Sequence, residues 1–169
     1  MPNYRRSNSP GSCYFFTVVT DHRQPILTHP DCRNALRDAI ITTREQHPFT
    51  IDAWVLLPDH LHAIWSLPEN DADFSIRWGK IKVSVTRSLR EVGLCNDSIW
   101  QKRFWEHEIR DETDFRHHMD YIHYNPVKHG LVEAVADWPH STFHRQCALG
   151  VHPKGWGQGV VMRDGSFGE

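Results

Sequence analysis

The stretch from Ile51 to Leu67 constrains the fold more than any other part of the chain. Most of its residues are apolar or aromatic, and Pro58-Asp59 interrupts it. Ile51 to Leu57 and His60 to Leu67 therefore read as two strands joined by a tight turn, an antiparallel hairpin. After it, Phe74, Trp78, Ile81, Val85 and Leu89 step by four, three, four and four. That is the spacing of an amphipathic helix from about Asp73 to Glu91, with Gly93 as its C-terminal signal. A hairpin followed by a helix with one apolar face calls for a sheet and helices that share a core.

The remaining elements fit that plan. Tyr14 to Thr20 is β-branched and aromatic, and reads as a strand. Asp31 to Gln46 reads as a helix, with Leu36, Ile40 and Ile41 at helical spacing. Within Ile99 to His107 a short strand is expected around Lys102-Arg103-Phe104-Trp105. Asp111 to Tyr124 is a third helix whose buried stripe is Phe115, Met119 and Ile122. Pro126 disfavours helical geometry at Asn125 and is expected to end it there. The order strand, helix, strand, strand, helix, strand, helix predicts an α+β fold: a ferredoxin-like antiparallel sheet with packed helices. At 169 residues the chain reads as one domain over 1–149. Six of the ten glycines fall between Gly150 and Glu169, so 150–169 is expected to be a loosely packed Gly-rich tail.

Composition excludes several classes. No apolar run reaches the roughly 18 residues that a membrane helix needs, and Met1 to Pro10 is polar. Cys13, Cys32, Cys95 and Cys147 lack paired spacing and read as reduced thiols of a cytoplasmic protein. The net charge of -2 argues against a non-specific nucleic-acid coat while allowing a local basic groove.

Two groups of residues carry candidate chemistry. His60 and His62 alternate with Leu61 on one strand, so both imidazoles share a face and can reach one ion. The same pair also suits half-exposed strand positions with no ligand. A metallo-β-lactamase-like site would want an acidic residue and a histidine where Ile64 and Trp65 stand. A cupin would want a nearby glutamate, and Glu69 is late. On the third helix, at about 100° per residue, Tyr121 and Asn125 lie beside the buried stripe, and Tyr124 points away from Phe115. Tyr121 is equally suited to packing its ring at a helix boundary, and Asn125 to ending a helix. A phenol with a pKa near ~10 is a poor nucleophile unless it is activated, and a divalent ion can orient a phosphate for in-line attack by it.

Taken in order, the segments Tyr14 to Thr20, Leu56-Leu57-Pro58-Asp59-His60-Leu61-His62 and Phe104-Trp105-Glu106-His107 form a recognisable set. Tyr121 to Val132 and Trp138-Pro139-His140-Ser141-Thr142-Phe143 complete it. The set resembles the HUH superfamily of single-tyrosine nucleases and transposases, and within it the REP-associated tyrosine transposases. The resemblance runs from roughly Tyr4 to Trp156. It implies that Tyr121 is the nucleophile and that His60, His62 and Asn125 hold a divalent metal, Mg²⁺ or Mn²⁺. Nitrogen ligands favour Mn²⁺ in raw affinity. It implies single-stranded DNA hairpins with a flanking guide sequence as substrate and a 5′-phosphotyrosine intermediate. It also implies a monomer, with a dimer as the alternative, in a cytoplasmic, nucleoid-associated setting.

Cations for DNA phosphates are expected at Arg5, Arg6, Lys80, Lys82, Arg87, Arg90, Lys102, Arg103 and Lys128, acting as a cluster. Two other functions remain as alternatives. One is a non-catalytic DNA-repeat-binding protein on the same fold. The other is a metal-dependent small-molecule hydrolase that makes no use of Tyr121.

Overall fold

In a computed structural model, which describes residues 10–158 and 167–169, four antiparallel strands form one sheet in the order β2-β3-β1-β4. The strands are β1 (Cys13–Val19), β2 (Thr50–Leu56), β3 (His60–Ser66) and β4 (Trp105–Glu108). Four helices accompany them: α1 (Pro30–Gln46), α2 (Phe74–Glu91), α3 (Glu112–Lys128) and the short α4 (Phe143–Ala148). The order and pairing are those of the expected ferredoxin-like sheet. No helix among the described residues is long and apolar enough to cross a membrane.

The alternation of side chains splits the core in two. On one face Tyr14, Phe16, Leu61 and Trp65 pack against α1 and α2. Here the Trp65 and Trp78 rings stack with centroids 4.2 Å apart. On the other face Phe15, Val55 and Ile64 pack against Met119, Tyr121 and Ile122 of α3. His62 sits opposite both Thr17 and Val55, so the two histidines of β3 point to the α3 side.

Asp73 caps α2 by accepting from the Ile76 N–H, and Asp111 caps α3 by accepting from the Asp114 N–H. The wholly buried Arg77 of α2 ties the helix to the loop before β2. It donates to the carbonyls of His47, Pro48 and Asp73 and forks onto the Asp71 carboxylate.

Three expectations are corrected. The fourth strand begins at Trp105 rather than Lys102, because Gln101 bonds back to Val19 and the exposed Lys102 and Arg103 bend outward before pairing resumes. An edge strand reading Trp-Glu-His-Glu has no apolar alternation to announce it. Pro126 lies inside α3 rather than ending it. The carbonyls of Asn125 and Pro126 receive the N–H groups of His129 and Leu131, and burial of Ile122, Asn125 and Pro126 holds the last turn in helical form. On α1, Ile41 is 48 % exposed, because the helix meets α2 through the small residues Cys32, Ala35 and Ala39 instead. Of the expected tail at 150–169, Phe167 is buried in the α3-side core.

Candidate active site

The site lies where β3 faces α3. His60 and His62 are buried, at 2 % and 0 % exposure, so they are not half-exposed strand residues. Each ring is held from behind. Asp59, in the hairpin turn, accepts from His60 Nδ1 at 2.6 Å. The Thr17 hydroxyl gives its hydrogen to the Phe167 carbonyl and therefore accepts from His62 Nδ1, at 2.8 Å. With Nδ1 protonated on both rings, each Nε2 is left to face α3.

Burial pulls the His62 pKa down to about 4, against the opposing pull of Glu169, so its neutral ring is the favoured form. Burial would raise the Asp59 carboxyl, but the His60 hydrogen bond and charge, with Arg23, bring it below its usual range.

α3 brings Tyr121 and Asn125 to the same place. Tyr121 is 3 % exposed, and its ring meets His62 edge-on with centroids 5.2 Å apart. Its hydroxyl accepts from Lys128 Nζ at 3.0 Å. Burial and the nearby Glu169 carboxylate push the phenol pKa well up. Asn125 is fully buried. Two polar atoms here, His60 Nε2 and Asn125 Oδ1, find no hydrogen-bond partner among the described residues. Tyr124, one helix step away, is only half-buried.

The last residues of the chain enter this space. Phe167 stacks on the Tyr121 ring with centroids 3.6 Å apart and an interplanar angle of 9°. Glu169 Oε1 lies 2.8 Å from His62 Nε2, 3.5 Å from His60 Nε2, 3.1 Å from Asn125 Nδ2 and 3.4 Å from His129 Nε2. Its other oxygen meets Lys128 Nζ at 2.7 Å. Burial would raise the Glu169 pKa, yet contacts from His129, His60, His62 and Lys128 hold it far below the usual carboxylate range.

Sequence reasoning missed three contributors: Asp59, His129 and the terminal residues. His129 has a visible signal, since it follows Asn125 by four residues and shares its helix side. Asp59 reads only as a turn residue until the fold shows what it bonds. Nothing in a Gly-rich tail announces where its last residues return.

Among the described residues, two groups of side chains have the geometry to hold an ion: His60 with His129 and Glu169, and His107 with Asp114 and His118. The second is already satisfied internally. Asp114 accepts from His107 and from the Arg110 backbone, which take its pKa down to about 2 although burial opposes this, and His118 donates to the Asp114 carbonyl. The first contains the unpartnered His60 Nε2.

The expected DNA-contacting residues are dispersed. Arg5 and Arg6 lie outside the described residues. Lys80, Lys82, Arg87 and Arg90 are on α2, across the sheet from the histidines. Lys82 donates to the Gln101 carbonyl and Arg90 to that of Asn96. Lys102 and Arg103 are exposed ahead of β4. Among the described members of the set, Lys128 alone reaches the site, against the Tyr121 hydroxyl.

Comparison with known proteins shows the family. Residues 10–125 match a family model described as "Transposase IS200 like". A REP-associated tyrosine transposase of Escherichia coli (strain K12) is 51 % identical over 100 % of this chain and 98 % of its own. A relative from Haemophilus influenzae is 46 % identical over 93 % of this chain and 94 % of its own. A solved REP-associated tyrosine transposase bound to a REP hairpin superposes with a TM-score of 0.91 at 48 % identity, covering 100 % of this chain and 98 % of that one. On these matches the chain is a tyrosine transposase and belongs to the IS200-like transposase family.

Proposed function

We propose that the chain cuts and rejoins single-stranded DNA at REP-type hairpins through a covalent phosphotyrosine, with Tyr121 as nucleophile. One observation carries the reading most: two back-supported imidazoles and the Asn125 side chain converge on a buried point beside the Tyr121 ring, and two of their polar atoms lack partners. The hairpin substrate follows from the relative solved with a REP hairpin.

The donor set fits a divalent cation. His62 Nε2 faces the same point, 2.8 Å from the Glu169 carboxylate, and His60 Nε2 and Asn125 Oδ1 are buried there without hydrogen-bond partners among the described residues. His60 Nε2, His62 Nε2 and Asn125 Oδ1 would hold the cation. When bound, such an ion polarises the scissile phosphate and steers it into line.

The chain's own groups do the rest. The phenol of Tyr121 gives its proton to solvent, which returns one to the departing 3′ oxygen, and the Lys128 ammonium, at 3.0 Å, stabilises the phenolate. The phenolate oxygen bonds to phosphorus as the bond from phosphorus to the 3′ oxygen breaks. The products are a 5′-phosphotyrosine and a free 3′-hydroxyl, and attack by that hydroxyl reverses the step. Phe15 packs edge-on against the Tyr121 ring and walls the nucleophile on the sheet side.

A second reading has a specific observation behind it. With Phe167 and Glu169 seated on Tyr121 and the histidines, the chain binds repeats without cutting them. A denaturing gel separates the two. Labelled hairpin incubated with Mn²⁺ or Mg²⁺ is expected to give a protein–DNA adduct that Tyr121→Phe does not form. Binding without adduct under every metal condition would favour the second reading.

A further inference from the structure

A groove of about 620 Å³ runs between α1, the β2 edge and residues 140–145. It lies away from the candidate active site: its floor residue Trp54 packs with the α1 and α2 core, on the sheet face opposite His60 and His62. Residues 140–142 border it by bonding along the β2 edge, where Leu56 N–H donates to the His140 carbonyl and Thr142 N–H to that of Trp54.

The groove is lined by Arg33, Arg37, Arg44, Arg145 and His140, and none of its lining residues is acidic. The whole chain carries a net charge of -2, so this gathering of positive charge is local. Among the described residues, the arginines that pair with carboxylates are Arg23, Arg77, Arg110 and Arg116, all elsewhere. Those of the groove are anchored by backbone instead: Arg33 and Arg44 donate through Nε to the carbonyls of Thr28 and Phe49, and Arg145 to those of Ile51 and Asp52. Such anchoring fixes these three arms through neutral groups, with the Asp52 carboxylate interacting with Arg145 only coulombically. Burial first, and then the Arg33 charge, lower the His140 pKa. The half-buried Trp54 and the exposed Ile41 supply an apolar floor.

We infer that this groove binds the phosphodiester backbone of the DNA hairpin at a place separate from the cleaved bond. The inference rests on the DNA-strand-transfer reading above. Positioned guanidinium groups take phosphate oxygens, and an indole can support an unpaired base. None of the residues that line the groove carries a carboxylate that would repel a polyanion.

The test is fluorescence anisotropy of labelled REP-type hairpin across a salt series, on wild type, Arg33→Gln/Arg37→Gln, and Lys80→Gln/Arg87→Gln as a comparator that removes equal charge from the α1–α2 side. The groove variant is expected to bind roughly 10-fold more weakly, with a salt slope shallower by about 1 to 2. Its adduct rate at saturating DNA is expected to match wild type, since the chemistry lies on the other face. If the double variant does not fold, Arg37→Gln alone, at an exposed position on α1, is expected to lower the slope by about 1. Wild-type affinity and slope in the groove variant, or an equal loss in the comparator, would overturn the inference while the adduct still formed. A wild type that neither binds nor cuts overturns the strand-transfer reading, and the groove's occupant with it.

Discussion

At the scale of single residues, the candidate site depends on groups placed behind its imidazoles. Asp59 orients His60 from 2.6 Å, and Thr17 orients His62 from 2.8 Å. Losing such a support commonly costs 10- to 100-fold in metal affinity. Asp59→Asn keeps the shape but offers an amide that can present the wrong group to Nδ1. It is expected to weaken Mn²⁺ binding by roughly 10-fold or more in calorimetry, with little change in Tm. An affinity equal to wild type would remove Asp59 from the site. Lys128 is argued the same way. Lys128→Met is expected to slow adduct formation by about 10²-fold at neutral pH, the scale of one lost charge-stabilising donor, and Lys128→Arg to recover part of it. A rate unchanged in the methionine variant would show that the 3.0 Å contact with the Tyr121 hydroxyl has no part in the chemistry.

At the scale of elements, α2 is fastened by Arg77 as much as by its apolar stripe. The Arg77 side chain is fully buried and donates to three backbone carbonyls and to Asp71. Replacing it with methionine strands those carbonyls, at about 2–4 kcal/mol. The Arg77 hydrogen bond first, aided by the Asp73 N–H, takes the Asp71 pKa down to about 2 although burial opposes it. A carboxylate lowered by folding stabilises the native state above its unfolded pKa near ~4, and the contribution is lost as pH falls through about 2. Because the Asp71 side chain is 32 % exposed, solvent screening reduces the effect to about 1 kcal/mol. Asp71→Asn is therefore expected to be less stable than wild type at neutral pH, with the gap closing between about pH 4 and pH 2 in urea melts. A gap that stayed constant through that window would assign the loss to packing rather than charge.

At the scale of the molecule, the chain end returns to cover its own site. Phe167 lies flat on Tyr121, Glu169 Oε1 stands amid the donor atoms, and Gly168 threads between them. Gly168 has φ +77°, and a Cβ there would come within 2.2 Å of the Trp105 side chain, so only glycine allows this seat. Removing 167–169 is expected to raise both Mn²⁺ affinity and the adduct rate, because a competing carboxylate and a stacked ring are withdrawn. Gly168→Ala is expected to act in the same direction by displacing the segment. Single-turnover kinetics on wild type and both variants decide the matter, and slower cutting in both would mean that the tail builds the site instead of covering it.

The sequence alone determined the elements that rest on periodicity: the hairpin at Pro58-Asp59, the α2 stripe and the order that makes an antiparallel sheet with helices on it. It also brought His60 and His62 to one face and Tyr121 and Asn125 to another, because both pairings follow from the repeat of a strand and of a helix. Local rules erred where neighbours overruled them. Pro126 stays helical because the burial of Ile122 and Asn125 outweighs its own preference, and the polar edge strand from Trp105 has only pairing to define it. Only the tertiary structure decided that the histidine face meets the tyrosine face, that Asp59 and Thr17 stand behind the rings, and that Glu169 reaches His62 across 107 positions of chain. Those contacts join distant segments, and no repeat within a segment encodes them. They exist because burying both sheet faces brings the segments together.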